Sequence, residues 1–338
     1  MNLSWKNGCD PSLIIQKIEA AKKVDDEGKV SFVGLEFIEY RALLFSMLKF
    51  PSEIPEREAQ GIVRSAIRIS ARNRKITTKS ILIQANKLAN SYLALPYQRF
   101  TLYTTISINS RWQLPISKVH LGNNIICFDR SPSKKFIKAS SQIMQQAEQS
   151  TIGDMPKDYT FVRVFVSARE VNEAADKAID TIDFIRSVWN WQINRKTNFV
   201  FPTGSKPDPI NKIILGPLHT LHYPNGEIAA STTWWYEPNY IGPIRTYNGR
   251  EEWEKLLKFL EKIKSRLSKH KYADTLKNGL IRYTRALDER NLQNSFLRLW
   301  SVLELLTNTE KESYDVTIRR TAFLFEDVDY HRQVLLQL

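Results

Sequence analysis

The chain has 338 residues, 42% apolar and 25% charged, a balance that fits a globular protein and argues against disorder, collagen and a simple coiled coil. Its length suits two domains or three small ones, and 16 Phe, 13 Tyr and 8 Trp are enough to fill their cores. Lys and Arg outnumber Asp and Glu by 49 to 36, and this excess of +13 draws polyanions, so nucleic acid is the natural partner.

The first 97 residues read as a helical region. Asp10-Pro11 opens a helix to about residue 23. Apolar residues at Phe32, Leu35, Phe37, Ile38, Leu43, Leu44 and Leu48 predict a second helix over 30–50, stopped by Pro51. Pro55 starts a third, through about Arg72. Thr78 or Ser80 starts a fourth, ending near Pro96.

Residues 98–240 change pattern and predict an α+β unit with a mainly antiparallel sheet. Arg99–Asn109 (RFTLYTTISIN) alternates β-branched and aromatic residues with period two. A short strand signal surrounds Gly122-Asn123-Asn124, and 136–149 reads as a helix. Residues 159–167 (YTFVRVFVS) form a strong strand, and 170–191 a long amphipathic helix. Pro224-Asn225-Gly226 between two apolar runs predicts a hairpin.

Glu237–Gly249, dense in Pro and Gly, reads as a linker. After it, 250–268, 272–289 and 291–308 predict three helices, and 316–325 and 329–338 begin two more. The last stops in VLLQL without cap, Gly or polar tail. The expectation is that more chain follows in the intact polypeptide.

Several chemistries find no support in the sequence. Cys9 and Cys127 cannot build a disulfide framework or a four-thiolate zinc site. His219 and His222, three apart on a strand, point to opposite faces, and no acidic or thiol ligand stands at metal spacing beside them. His270 follows a lysine-rich helix end and suits the helix dipole there. No phosphate-binding glycine loop and no GxSxG elbow occur, and no metal or cofactor is expected. No apolar run approaches the ~18 residues of a membrane span. Without a secretory signal at the start, the cytoplasm is the default compartment.

The segment 64–79 (RSAIRISARNRKITTK) carries more information. Arg64, Arg68 and Arg72, spaced by four, line one helix face, and Arg74, Lys75 and Lys79 extend the cationic surface beyond it. Arginine at this density suits bidentate phosphate contacts; the same pattern also suits a solvated helix face. Trp234-Trp235-Tyr236 offers aromatic surface for base stacking, or alternation between core and edge.

The region from Asn291 holds the most specific signal. In 295–307 one face carries Phe296, Leu299, Trp300, Leu303 and Leu306, with Glu304 set among them; Arg319-Arg320 opens the next helix. This "F-x-x-L-W-x-x-L-E-x-L" helix with its Arg-rich successor resembles the all-helical HEPN domains, in particular the ApeA-like subgroup of bacterial antiphage proteins. The resemblance covers at most the last hundred or so residues and carries over Glu304, Arg319 and Arg320. It implies a metal-independent endoribonuclease acting as a homodimer through the C-terminal helices. A paired Arg-x(4–6)-His set would steady the phosphate and shuttle the proton of the 2′-hydroxyl. That set does not occur in the sequence. Two explanations stay open: the catalytic pair lies beyond Leu338, or this is an inactive relative.

These readings predict an α+β antiphage effector that cleaves RNA, tRNA being one candidate, with the N-terminal region sensing a phage-derived trigger. The alternative is a non-catalytic component that holds nucleic acid or docks a partner.

Overall fold

The structure is a computed structural model. It describes residues 2–323 except 26, 28, 33, 35, 73–74, 112–113, 149–154, 196–207, 231–234, 238–245, 250–251 and 310–311, together with 332–333 and 337. The fold is α+β, as the sequence pattern predicts. Two compact units emerge: Met1–Gln98 with Ala168–Glu173, and Arg99–Ser167 with Ala174–Leu338.

The first unit runs β1 (Ser4–Trp5), α1 (Ser12–Ala20), β2 (Lys22–Val24), β3 (Val30–Phe32), α2 (Glu36–Met47), β4 (Leu48–Lys49), α3 (Glu56–Arg72) and α4 (Thr78–Ala94). Ile62, Val63 and Ile67 of α3 share a core with Ile81 and Ala85 of α4 and with Ile18 and Leu44. Thr77 caps α4. Its hydroxyl accepts the Ser80 N–H at 3.0 Å, and the Ser80 hydroxyl accepts the Thr77 N–H at 2.9 Å.

The helix expected over 30–50 is shorter than its apolar spacing predicts. Residues 30–32 pair instead with 22–24 as an antiparallel hairpin. The Asp25 carboxylate accepts the N–H groups of Lys29 at 2.7 Å and Glu27 at 3.2 Å, closing the turn. Local turn chemistry overrides the helical period there, and α2 begins at Glu36.

The second unit is built on a six-stranded antiparallel sheet. Its strands are β5 (Gln98–Asn109), β6 (Lys118–Leu121), β7 (Asn124–Asp129), β8 (Tyr159–Ala168), β9 (Leu218–His222) and β10 (Trp235–Tyr236), in the order β10–β9–β5–β8–β7–β6. The signal around Gly122 resolves into the β6–β7 hairpin, Leu121 opposite Asn124. Pro224-Asn225-Gly226 makes the turn expected of it. The Gly226 N–H donates to Tyr223 O at 2.9 Å, and φ +91° at Gly226 is a conformation that L side chains rarely adopt.

Helices cover both sheet faces. On one, Tyr103 stacks with Phe136 and Phe161 beneath α5 (Lys134–Ala139) and α6 (Ser141–Glu148). On the other lies α7 (Val171–Asn194), whose Trp189 meets Phe128 of β7 and whose Thr181 accepts from Asn124. The single helix expected over 136–149 is interrupted at Ser140, whose hydroxyl bonds inward to β9; residue 149 lies outside the described residues.

Part of the expected linker belongs to the sheet. The Tyr247 N–H donates to Ser107 O at 2.7 Å, and the Asn109 N–H donates to Tyr247 O at 3.2 Å; 238–245 lie outside the described residues. Helices α8 (Trp253–Leu267), α9 (Ala273–Leu287), α10 (Leu292–Thr307) and α11 (Tyr314–Ala322) then follow in the predicted order. Asn291 caps α10, and Asn308 ends it in the left-handed region at φ +54°. Of the helix expected over 329–338, only 332–333 and 337 are described.

Candidate functional site

The cationic face of α3 exists as a surface because its opposite side is apolar. Ile62, Val63, Ala66, Ile67, Ser70 and Ala71 are buried, while Arg64, Arg68 and Arg72 are exposed. Steps of four residues advance about 6 Å along a helix and keep to one side. Lys75 and Lys79 are exposed just past its end. Of the six-residue cluster predicted from sequence, Arg64, Arg68 and Arg72 lie on α3, Lys75 on the turn after it and Lys79 in the first turn of α4; Arg74 lies outside the described residues. Guanidinium groups at this spacing can donate in pairs to successive phosphates.

The C-terminal polar positions have structural partners. Glu304 is half-buried and accepts the Trp300 indole N–H at 3.0 Å. Arg320 donates to Thr307 O at 2.8 Å and Asn308 O at 3.3 Å, so its cation sits on the carbonyl end of α10 and ties α11 to it. Arg298 pairs with buried Glu289 at 3.3 Å rather than with Glu304. Arg319 is exposed.

Histidines 219 and 222 do point to opposite sheet faces. His219 Nδ1 lies 2.6 Å from Thr104 Oγ1, and its Nε2 lies 3.1 Å from Glu237 Oε1. His222 faces α5: Nδ1 donates to Gly226 O at 3.1 Å, which leaves Nε2 as acceptor for the Thr220 hydroxyl at 2.9 Å. The Ser140 hydroxyl in turn donates to Thr220 at 3.2 Å. Both imidazoles are buried. Burial pushes the His222 pKa down to about 4, with nearby Lys135 acting in the same direction. His331 lies outside the described residues.

A buried charge network joins α7 to α9. Arg186, with only 1% of its side chain exposed, donates to Asp183 at 2.6 Å, Asp288 at 2.8 Å and Ile213 O at 3.1 Å. Arg285 bridges Asp180 and Asp183, both at 2.7 Å. Desolvation pushes the Asp183 carboxyl up, but its two guanidinium partners outweigh it and hold the pKa below the usual carboxylate range. At Asp288 desolvation prevails over Arg186 and the pKa lies above that range. Asp183 and Arg186 were legible as an i,i+3 helix pair; their partner a hundred residues on was not.

Among the described residues no group of three or more His, Cys, Asp or Glu is placed to hold a metal ion, and no helix is long and apolar enough to cross a membrane. Trp235 is buried and Tyr236 exposed, the alternation of a core-lining edge strand; Trp234 lies outside the described residues. Comparison with protein-family models, curated proteins and solved structures finds no match.

Proposed function

We propose that this chain is an RNA-binding antiphage protein that holds the phosphate backbone on α3. The observation that carries this reading is the exposed row of Arg64, Arg68 and Arg72 opposite a buried face that is apolar apart from Ser70, in a chain of net charge +13. A single-stranded RNA titrated at several salt concentrations tests it. Replacing all three arginines by alanine is expected to flatten the slope of log K against log salt by about 2 if each meets one phosphate. An unchanged slope would move the binding surface elsewhere.

The C-terminal helices support a second step, metal-independent cleavage in a HEPN-type two-fold cleft, through the α10 sequence pattern that carries Trp300 and Glu304. Phe296, Leu297, Tyr314 and Phe323 are exposed on α10, α11 and the residue after it, and favour pairing of this region with a second copy. In this reading the protein works in the cytoplasm and answers a phage-derived trigger. Incubating RNA with the full-length polypeptide in EDTA and analysing the ends separates the two steps. Cyclic phosphate and 5′-hydroxyl ends support the ribonuclease, and binding without cleavage leaves the non-catalytic component.

A further inference from the structure

Helices α8, α9 and α10 enclose a groove of about 760 Å3, within the range of about 300–1,000 Å3 usual for small-molecule sites. Its walls are Ile263 and Leu267 of α8, Leu280 of α9, and Leu303 and Leu306 of α10, with Trp191 from the end of α7. Gly279 in α9 also lines it. A Cβ there would lie 3.1 Å from Leu306, so the missing side chain widens the space between α9 and α10.

Arg266 and His270, both exposed at the end of α8, interrupt this lining, and the Tyr283 phenol of α9 also borders it. Among the described residues no carboxylate pairs with Arg266. His270 Nδ1 accepts the Tyr272 N–H at 3.1 Å, which leaves Nε2–H of the neutral ring as a donor. Lys262, Lys269 and Lys271 are exposed along the same stretch. Apolar walls ending in donors of one sign define a ligand with a long apolar body and a negative head. Along the walls a polar ligand meets carbon apart from the Tyr283 phenol, and a cationic head meets repulsion at the rim. A second copy docked with this rim on the two-fold axis would set the cations against their own image.

We propose that the groove binds a single-chain anionic amphiphile, its tail along the leucine walls and its head on Arg266 and His270. The test is calorimetric titration with dodecanoate, dodecanol and dodecyltrimethylammonium below their micellar concentrations. Dodecanoate is expected to saturate one site and to bind about tenfold tighter than dodecanol, the scale of one charge-assisted hydrogen bond, with the cation weakest. Lengthening the tail should tighten binding by up to about fourfold per methylene. Arg266→Ala should erase the preference for the carboxylate yet keep the tail dependence. Leu306→Glu, at a position 39% exposed that tolerates a charge, should weaken dodecanoate at least tenfold while circular dichroism stays unchanged. Equal affinity for the three heads, or no saturation, overturns the proposal. So does a dimer in sedimentation that Leu306→Glu dissolves, because the groove then belongs to a second copy.

Discussion

His222 carries a consequence that its neighbours determine. Its ring meets Phe136 edge-on at 4.7 Å and Tyr103 at 6.3 Å, and it joins the β9 turn at Gly226 to the break between α5 and α6. A proton on Nε2 would face the hydroxyl chain of Thr220 and Ser140 in a buried site, with Lys135 adding repulsion. The unfolded chain takes up that proton below its ordinary pKa near 6.5, whereas the folded chain resists it down to about 4. This contribution is therefore complete above pH 6.5 and is lost as the pH falls towards 4, amounting to about 3 kcal/mol in full. Urea unfolding from pH 7.5 to 4 should show the decline, and His222→Phe should remove it. The variant should also be about 1–3 kcal/mol less stable at neutral pH, because Thr220 and Gly226 lose a partner. Strand alternation alone puts His219 and His222 on opposite faces. That Ser140, some 80 residues away, closes the chain is a fact of tertiary packing that no spacing in the sequence encodes.

At the scale of elements, the α7–α9 clasp depends on one side chain. Arg186 neutralises Asp183 and Asp288 and also serves the carbonyl of Ile213. Arg186→Met keeps most of the apolar stem but strands buried acceptors, so a loss of about 3–5 kcal/mol is expected in urea unfolding. A loss below about 1 kcal/mol would mean that water reaches these carboxylates. Within α9, Gly279 lacks the helix propensity of alanine, and the Leu306 methyl that a new Cβ would meet ends a flexible, half-exposed side chain. Gly279→Ala should therefore raise stability by about 0.5–1 kcal/mol, read as a higher melting temperature; a lower one would show that Leu306 cannot give way. Helices α3, α4 and α8 were legible because burial follows the 3.6-residue period along them, whereas 181–190 of α7, expected to be amphipathic, are buried all round. Residues 30–32 were not, since three residues are too few to establish a period and the Asp25 turn decides their pairing.

Across the whole molecule, the charge of +13 was legible from composition, but not where it acts. An attraction spread over the surface and one focused on α3 make different predictions for variants of equal charge. Arg64, Arg68 and Arg72 lie exposed on α3, and Lys255, Lys258 and Lys262 lie exposed on α8. Changing either set to glutamate removes two charges at each of three positions and takes the molecule from +13 to +7. Both variants carry the same net charge, so any general attraction weakens in both, while screening over about 8 Å at physiological salt confines the direct effect of each change to its own neighbourhood. Contacts to phosphate are lost only where phosphate sits. If α3 is the binding surface, its variant should lose RNA affinity at least 100-fold at physiological salt, as three charge-assisted contacts turn repulsive. The α8 variant should lose only a few-fold. Fluorescence anisotropy with one labelled RNA and the two variants side by side measures the difference, and equal losses would reduce the arginine row to general attraction.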